Sequence, residues 1–350
     1  MDKNDAKKAL DRLIKKSRVH LYKPIQIAEI LYRDRKYKDI NILNVEDYRT
    51  KSKQWRDDIC LELVGRKCTS SSKFQDNLFD DNAIPPILLN ELSKANRETN
   101  GAVEAYIYKR FTDKYFQLAN ALNYCLNSCK EDFYIKKFIE LFWSEPGLKR
   151  SLDKIYEIVV YALFSILVET LQMKVEVSVK AENVKILKEF NDFAHMVMCI
   201  DFSNPAYIQD AKVYRVGVTN AADRGLDMYS NWGPAIQIKH LSLDEELAES
   251  IVSNVSSDRV VIVCKDAERN IILSLLTQIG WRSHIQSVIT EQNLINWYEK
   301  ALRGKYAELI GDSLLIRLSE EIAEEFPSVD RVPEKIKNRH YEKIVDSYWC

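Results

Sequence analysis

Between Ser144 and Gly147 the stretch SEPG interrupts the chain, and the spacing of apolar residues differs on its two sides. Before it they recur at helical intervals. After it, helical stretches alternate with short runs of period two. A chain patterned in this way is expected to fold as a helical region joined to an α/β region. The main boundary is placed here, giving a mainly helical N-terminal region over 1–147, an α/β core over 148–310 and a helical tail over 311–350. At 350 residues the chain also exceeds what one compact core usually takes.

In the first region Ala6, Leu10, Leu13 and Ile14, then Ile25, Ile27, Ile30 and Leu31, keep helical spacing, and Pro24 divides them into two helices. Residues 54–65 read as a further helix closed by Gly65. The polar, basic stretch RKCTSSSKFQDNLF reads as a loop. AIPPILLNELSKAN sets two prolines ahead of a helix, and aromatic-rich helical segments run over 103–143.

In the second region residues 148–171 form a helix apolar on nearly every face, which predicts burial. KVEVSV (174–179) and KVYRVGVTN (212–220) alternate like strands. GLDMYSNWGPAIQIKHL reads as two strands joined at the turn Ser230-Asn231-Trp232-Gly233. A helix over 243–255, a buried strand over 258–265, a helix ending at Gly280, a strand over 281–290 and a last helix complete an α/β core with a mixed central sheet flanked by helices.

The N-terminus lacks an apolar signal-peptide segment, and the longest apolar run, Ile158 to Val168, contains Ser165 and stops at Glu169, too short for a bilayer. No membrane association is expected, and the chain is placed in the bacterial cytoplasm. Seven scattered cysteines form no CxxC pair, which argues against a disulfide framework. Cys125 and Cys129 lie one helical turn apart without a nearby His, so they are expected to be buried thiols. The formal net charge is −1, but residues 1–50 hold 13 Lys and Arg against 8 Asp and Glu. A basic region on a neutral chain suits phosphate contacts, through Lys15, Lys16 and Arg18 among others, and equally suits a solvated helix face. No P-loop is present, which disfavours ATP-driven work.

The chemistry concentrates in one hairpin. Asp227 is expected in its first strand, and Gln237 and Lys239, separated by Ile238, point to one face of the second. A tight turn brings a carboxylate, a neutral oxygen ligand and an ammonium to one sheet surface. Phosphodiester hydrolysis suits such a set: Mg²⁺ takes oxygen ligands and keeps waters, and a lysine orients the attacking water. Gln237 stands where a carboxylate is commoner, so a further acid is needed. Glu157, inside IYEIVVYALF, is the candidate, since a glutamate among apolar residues needs a partner; pairing with Lys154 is its other reading. Taken singly, Lys239 is also readable as an edge-strand charge and Asp227 as a turn-side polar residue. His240 points away from Lys239, and Asp223 and Arg224 stand just before the hairpin.

The segments NAADRGLDM, AIQIKHLSLDEELAE, DRVVIVCKDAE and LLTQIGWRSHIQ resemble the HaeII-type type II restriction endonucleases, and the core resembles the PD-(D/E)XK nuclease fold. The likeness extends to LIKKSRVHLYKPIQIAEILY, TSSSKFQDNLF, NAIPP and FWSEPGLKRSLDKIYEIVVYALF, nearly the whole chain. It implies Mg²⁺-dependent, sequence-specific double-strand cleavage of DNA within a restriction–modification system, alongside a cognate DNA methyltransferase. It also implies a palindromic site, RGCGCY, cut near its 3′ side to leave a 3′ overhang. Carried over by motif, Asp227 and Lys239 match the fold's acid and lysine, Glu157 its helix acid, and Gln237 replaces the usual Glu or Asp. A palindrome calls for two symmetric half-sites, hence a homodimer.

Guanine reading favours Arg or Lys, which singles out two sets. One is the loop carrying Arg66, Lys67, Ser71 and Lys73; the other is Arg282, His284 and Gln286, alternating on one strand. Each set is also readable as a solvent-exposed turn or sheet face. Two further functions fit the same residues: a structure-selective repair or transposition nuclease, and a non-catalytic DNA-binding protein with a degenerate nuclease core.

Overall fold

The computed structural model describes the chain outside residues 1, 18–19, 69–74, 145–147, 149–150, 217–225, 255–256, 279–284, 327–332, 345 and 350. It divides into a helical unit, Met1–Ile155 with Ser319–Cys350, and an α/β unit, Tyr156–Val216 with Asp223–Leu318.

The helical unit opens with α1 (Lys3–Lys16), whose start is fixed by a capping box between Asp2 and Asp5. α2 (Tyr22–Tyr37) carries Pro24 in its first turn, where a missing N–H costs nothing. α3 (Arg49–Val64) ends at Gly65, whose φ of +70° provides the left-handed C-cap. Pro86 occupies the first position of α4 (Pro86–Glu98), followed by α5 (Ala102–Asn127) and α6 (Ile135–Ser144).

Charged pairs knit this unit together. Glu29 forms a buried ion pair with Arg339 at 2.6 Å and accepts from the Tyr108 hydroxyl at 2.5 Å. Glu104 is held by Nε and Nη2 of Arg35, each at 2.9 Å, by Asn96 at 2.6 Å and by Tyr341 at 2.6 Å. Arg339 and Tyr341 lie near the C-terminus, so the end of the chain completes the polar interior of its first third. Such buried charges persist because their hydrogen bonds are made.

In the α/β unit α7 (Leu152–Thr170) leads to β1 (Lys174–Ser178). Among the described residues β1 pairs only with β2 (Ala206–Asp210), antiparallel, in a separate two-stranded sheet, with α8 (Val184–Glu189) between them in the chain. KVEVSV is thus a strand, but it lies outside the main sheet. Among the described residues that sheet has five strands in the order β3 (Val213–Arg215), β4 (Met228–Ser230), β5 (Ala235–Lys239), β6 (Val260–Cys264) and β7 (Ile285–Thr290). β3, β4 and β5 run antiparallel, whereas β5, β6 and β7 run parallel, so the sheet is mixed as expected. β6, Val-Val-Ile-Val-Cys, is buried throughout, as an unbroken β-branched run between parallel neighbours should be.

The parallel half is linked by α9 (Glu245–Asn254) and α10 (Arg269–Gln278), whose Ala248, Ile251 and Leu275 pack on Ala235, Val260, Ile262 and Cys264. α11 (Glu291–Arg303) starts directly after β7 on a Thr290–Asn293 capping box. The Tyr298 hydroxyl donates to the Val159 carbonyl at 2.8 Å and Tyr156 to Glu291, tying α11 to α7. α12 (Ala307–Glu325) closes the unit and enters the tail. Among the described residues no helix is long and apolar enough to cross a membrane. Cys60, Cys125 and Cys264 are buried free thiols, and burial pushes Cys125 and Cys264 up to about 11. The expectation for Cys129 is corrected: it is exposed, donating to Asp132 at 3.2 Å just past the end of α5.

Candidate active site

The β4–β5 turn is built for one backbone path. Gly233 has a φ of +119°, and a Cβ there would fall 2.3 Å from the Arg259 guanidinium, which donates to the Trp232 carbonyl. The backbone angle is the demand that favours glycine, since the arginine side chain can move aside. Asn231 anchors the same turn, its Nδ2 donating to the Asp210 carbonyl at 2.8 Å and its Oδ1 accepting from Lys212 N–H at 2.9 Å. The turn therefore sets the register in which Met228 faces Ile236 and Tyr229 faces Ala235. One step further along this ladder places Asp227 opposite Gln237.

Asp227 precedes β4 by one residue, which corrects its expected place inside the strand: the β4–β5 ladder ends at Met228. There its carboxylate replaces the missing ladder bond. Asp227 Oδ2 accepts from the Ile238 N–H at 2.7 Å and from Gln237 Nε2 at 2.5 Å, while its own carbonyl accepts from Val216 N–H at 2.9 Å. Three bonds from two strands fix one residue. That is the preorganisation a metal-binding or catalytic carboxylate needs.

Gln237 is 2% exposed, and its Oε1 has no hydrogen-bond partner among the described residues. The side-chain nitrogen is spent on Asp227, leaving a buried oxygen beside a carboxylate. An unmade bond at a buried acceptor costs about 1–3 kcal/mol, so the oxygen has a reason to accept a further group. Lys239 lies two residues on, on the same side of β5, half-buried at the strand end opposite Cys264 of β6.

Glu157 is 6% exposed and enters from α7, a separate element. Phe164 and Val168, at its helical spacing, line an apolar cavity of about 310 Å³ with Ile236 and Val261, residues that alternate with Gln237 and Ile262. The helix thus covers the sheet face opposite to Gln237. Described hydrogen bonds join Asp227 with Gln237, and strand alternation adds Lys239.

The predicted DNA-reading residues separate. Arg66 is half-buried, its guanidinium bonded to His20 Nε2 and donating to the Glu325 carbonyl, while Lys67 is exposed. Ser71, Lys73, Arg282, His284, Arg18, Asp223 and Arg224 lie outside the described residues. Gln286 is exposed at a β-bulge where the β6–β7 register shifts, and it lines the α7-side cavity. Lys15 and Lys16 are exposed in the last turn of α1. The sequence reading missed the stacked pair Tyr214–Tyr229, ring centroids 5.1 Å apart, on the Asp227 side of β3 and β4. Strand alternation from Asp227 to Tyr229 carried that signal.

The donor set is made of oxygens: a carboxylate and an amide carbonyl. Among the described residues no cluster of three His, Cys, Asp or Glu side chains is poised for a metal. The pair suits a hard cation that keeps water ligands, not a site enclosed by protein alone.

Comparison with known proteins supplies the rest. Residues 6–341 match the family model described as HaeII restriction endonuclease. The chain is 57% identical over 343 residues, 97% of each chain, to "Type II restriction enzyme HaeII" of Haemophilus aegyptius. It is 54% identical over 351 residues, 99% of each chain, to "Type II restriction enzyme NgoBI" of Neisseria gonorrhoeae. No solved structure matches. Identity this high over nearly the full length of each relative selects one of the three functions compatible with the hairpin: the chain belongs to the HaeII restriction endonuclease family and is a type II site-specific deoxyribonuclease.

Proposed function

We propose that the α/β unit is a PD-(D/E)XK-like catalytic core that cuts both strands of double-stranded DNA at a palindromic RGCGCY-type site, leaving a 3′ overhang, with Mg²⁺ as its cofactor. The observation that carries the catalytic assignment is the Asp227–Gln237 junction, a carboxylate fixed by the Ile238 amide beside an unpartnered buried oxygen. Asp227 and Gln237 Oε1 would hold the ion; Glu157, on the helix over the opposite sheet face, is left out of this pair. When bound, such a cation stabilises charge building on the scissile phosphate and lowers the cost of forming hydroxide.

The chain's own residues do the positioning. Asp227 is clamped so that its carboxylate does not reorganise during the reaction. Lys239 orients the attacking water and counters the negative charge developing on the phosphate. Lys67, Ser71, Lys73, Arg282 and Gln286 are proposed to contact DNA. Arg66 is proposed to do so after exchanging its internal bonds, or to hold the loop that does. A palindromic target makes the working enzyme a homodimer, and a methyltransferase of the same specificity protects the host.

The test is incubation with plasmid DNA and Mg²⁺, followed by mapping of the cut ends, for the wild type and for Asp227→Ala and Lys239→Ala. Discrete fragments that both variants fail to produce support the assignment. Intact plasmid with the wild type across a range of divalent ions overturns it.

A further inference from the structure

The excursion between β1 and β2 is short of interior. Its buried residues are Leu187, Ala194 and Ile200, with Val179 and Tyr207 packed on them. Around this small core Ile186, Phe190, Phe193, Met196, Val197 and Phe202 stand 43–74% exposed. The helical turns continue past α8, through Phe190 N–H to the Ile186 carbonyl (3.2 Å) and Ala194 N–H to the Phe190 carbonyl (3.0 Å), into a five-residue π-helical turn ending at Met198. Ile186, Phe190, Phe193 and Val197 follow one another at i, i+4, i+7 and i+11, so they form one stripe along this segment.

We infer that this stripe is the surface by which two copies of the chain associate. Its spacing, 4-3-4, reads the same in both directions. An antiparallel, two-fold pairing therefore sets Ile186 against Val197 of the second copy and Phe190 against Phe193 of the second copy, the self-complementarity an isologous interface requires. At roughly 200 Å² for a large apolar residue, the four stripe residues offer roughly 450 Å², and Met196 and Phe202 beside them bring this to roughly 700 Å², close to the about 800 Å² each partner gives to a standard interface. Charge agrees as well. Residues 184–202 carry two lysines, Lys185 and Lys188, against the acids Glu189, Asp192 and Asp201. Near-neutrality lets two copies approach, and it suits neither a DNA backbone nor an anionic membrane. The inference rests on the restriction reading for its two-fold symmetry, and it places dimerisation in the α/β unit.

The experiment is sedimentation equilibrium of the full chain at micromolar concentration, run beside the plasmid assay. A mass of twice 40.8 kDa is expected for the wild type. Phe193→Asp and, independently, the more peripheral Val197→Arg weaken dimerisation by at least about 30-fold, while Phe193→Leu leaves it intact; circular dichroism reports folding for each. The monomeric variants accumulate nicked circles in place of linear DNA. A monomeric wild type that still cuts DNA overturns the interface and leaves the nuclease reading standing. So does a dimer that both charge substitutions leave unchanged, or a monomer that binds neutral phosphatidylcholine vesicles through this stripe. A dimer that both charge substitutions disrupt, without cleavage under any divalent ion, keeps the interface and overturns the nuclease reading.

Discussion

Two buried polar regions of this molecule are treated in opposite ways. In the helical unit Glu29 and Glu104 are closed off by Arg339, Arg35, Asn96 and two tyrosine hydroxyls. In the α/β unit Gln237 Oε1 is buried with no partner among the described residues, beside the clamped carboxylate of Asp227. Saturated polar groups specify a packing arrangement, whereas an unsaturated one is held ready for a group that binds later. Gln117 Oε1 and Trp349 Nε1 in the helical unit are also buried without a partner among the described residues, so it is the clamped carboxylate beside the open acceptor that marks the second region as reactive.

The comparison breaks most readily at Asp227. Asp227→Ala and Lys239→Ala should each lower the rate of DNA cleavage at least about 1,000-fold; Lys239→Ala should change the denaturation midpoint little, whereas Asp227→Ala should also cost about 1–3 kcal/mol through the Ile238 and Gln237 donors it leaves unpaired. A large stability loss with residual cleavage would place Asp227 among the structural groups. Arg339→Met tests the other side. Removing one partner of a buried pair costs about 3–5 kcal/mol, so urea denaturation should show a loss of that size, with the cleavage rate per folded molecule unchanged.

Gln237→Glu sharpens the contrast. It places a second carboxylate where Gln237 Nε2 donates to Asp227 at 2.5 Å. Without divalent cation it should cost about 1–2 kcal/mol through the lost bond and like-charge repulsion. Added Mg²⁺ should restore stability, and the Mg²⁺ concentration for half-maximal cleavage should fall on the order of tenfold. No restoration would separate Gln237 from the metal.

The smallest effect concerns Lys114, buried in the helical unit and donating to the carbonyls of Ile14 at 3.1 Å and Ser17 at 2.9 Å. Burial lowers its ammonium to about 8 from an ordinary 10.5. Between those values the unfolded chain holds the proton more tightly, so the Lys114 contribution improves as pH rises through the window and is lost as pH falls towards about 8. Wild type measured against Lys114→Met should gain about 1–2 kcal/mol between about pH 7 and about 9.5. A difference that does not vary with pH would show that its two carbonyl partners offset the burial.

Much of the site was legible because strands alternate and turns have chemistry. The pair Gln237 and Lys239 follows from a two-residue period, and Gly233 marks the return that brings Asp227 across. Asp227 was misplaced by one residue because a strand's last paired position depends on where its neighbour diverges, which no local pattern encodes. KVEVSV read correctly as a strand, yet among the described residues its partner is β2 alone, and pairing is a property of the whole sheet. Arg66 was readable as a loop cation; its bonds to His20 and the Glu325 carbonyl join residues far apart in the chain.

The sequence by itself determined the helical and α/β halves, the hairpin with Asp227, Gln237 and Lys239, and the resemblance that full-length identity then established as family membership. These are written in short-range periods and in long matched segments. Only the tertiary structure decided that Asp227 is clamped by Ile238 N–H, that among the described residues nothing donates to the buried Gln237 oxygen or covers a helical apolar stripe, and that Arg339 and Tyr341 complete the polar interior of the first helices. Each of these depends on what a side chain meets across long sequence distances, where burial and hydrogen bonding are settled by packing and local preference has no say.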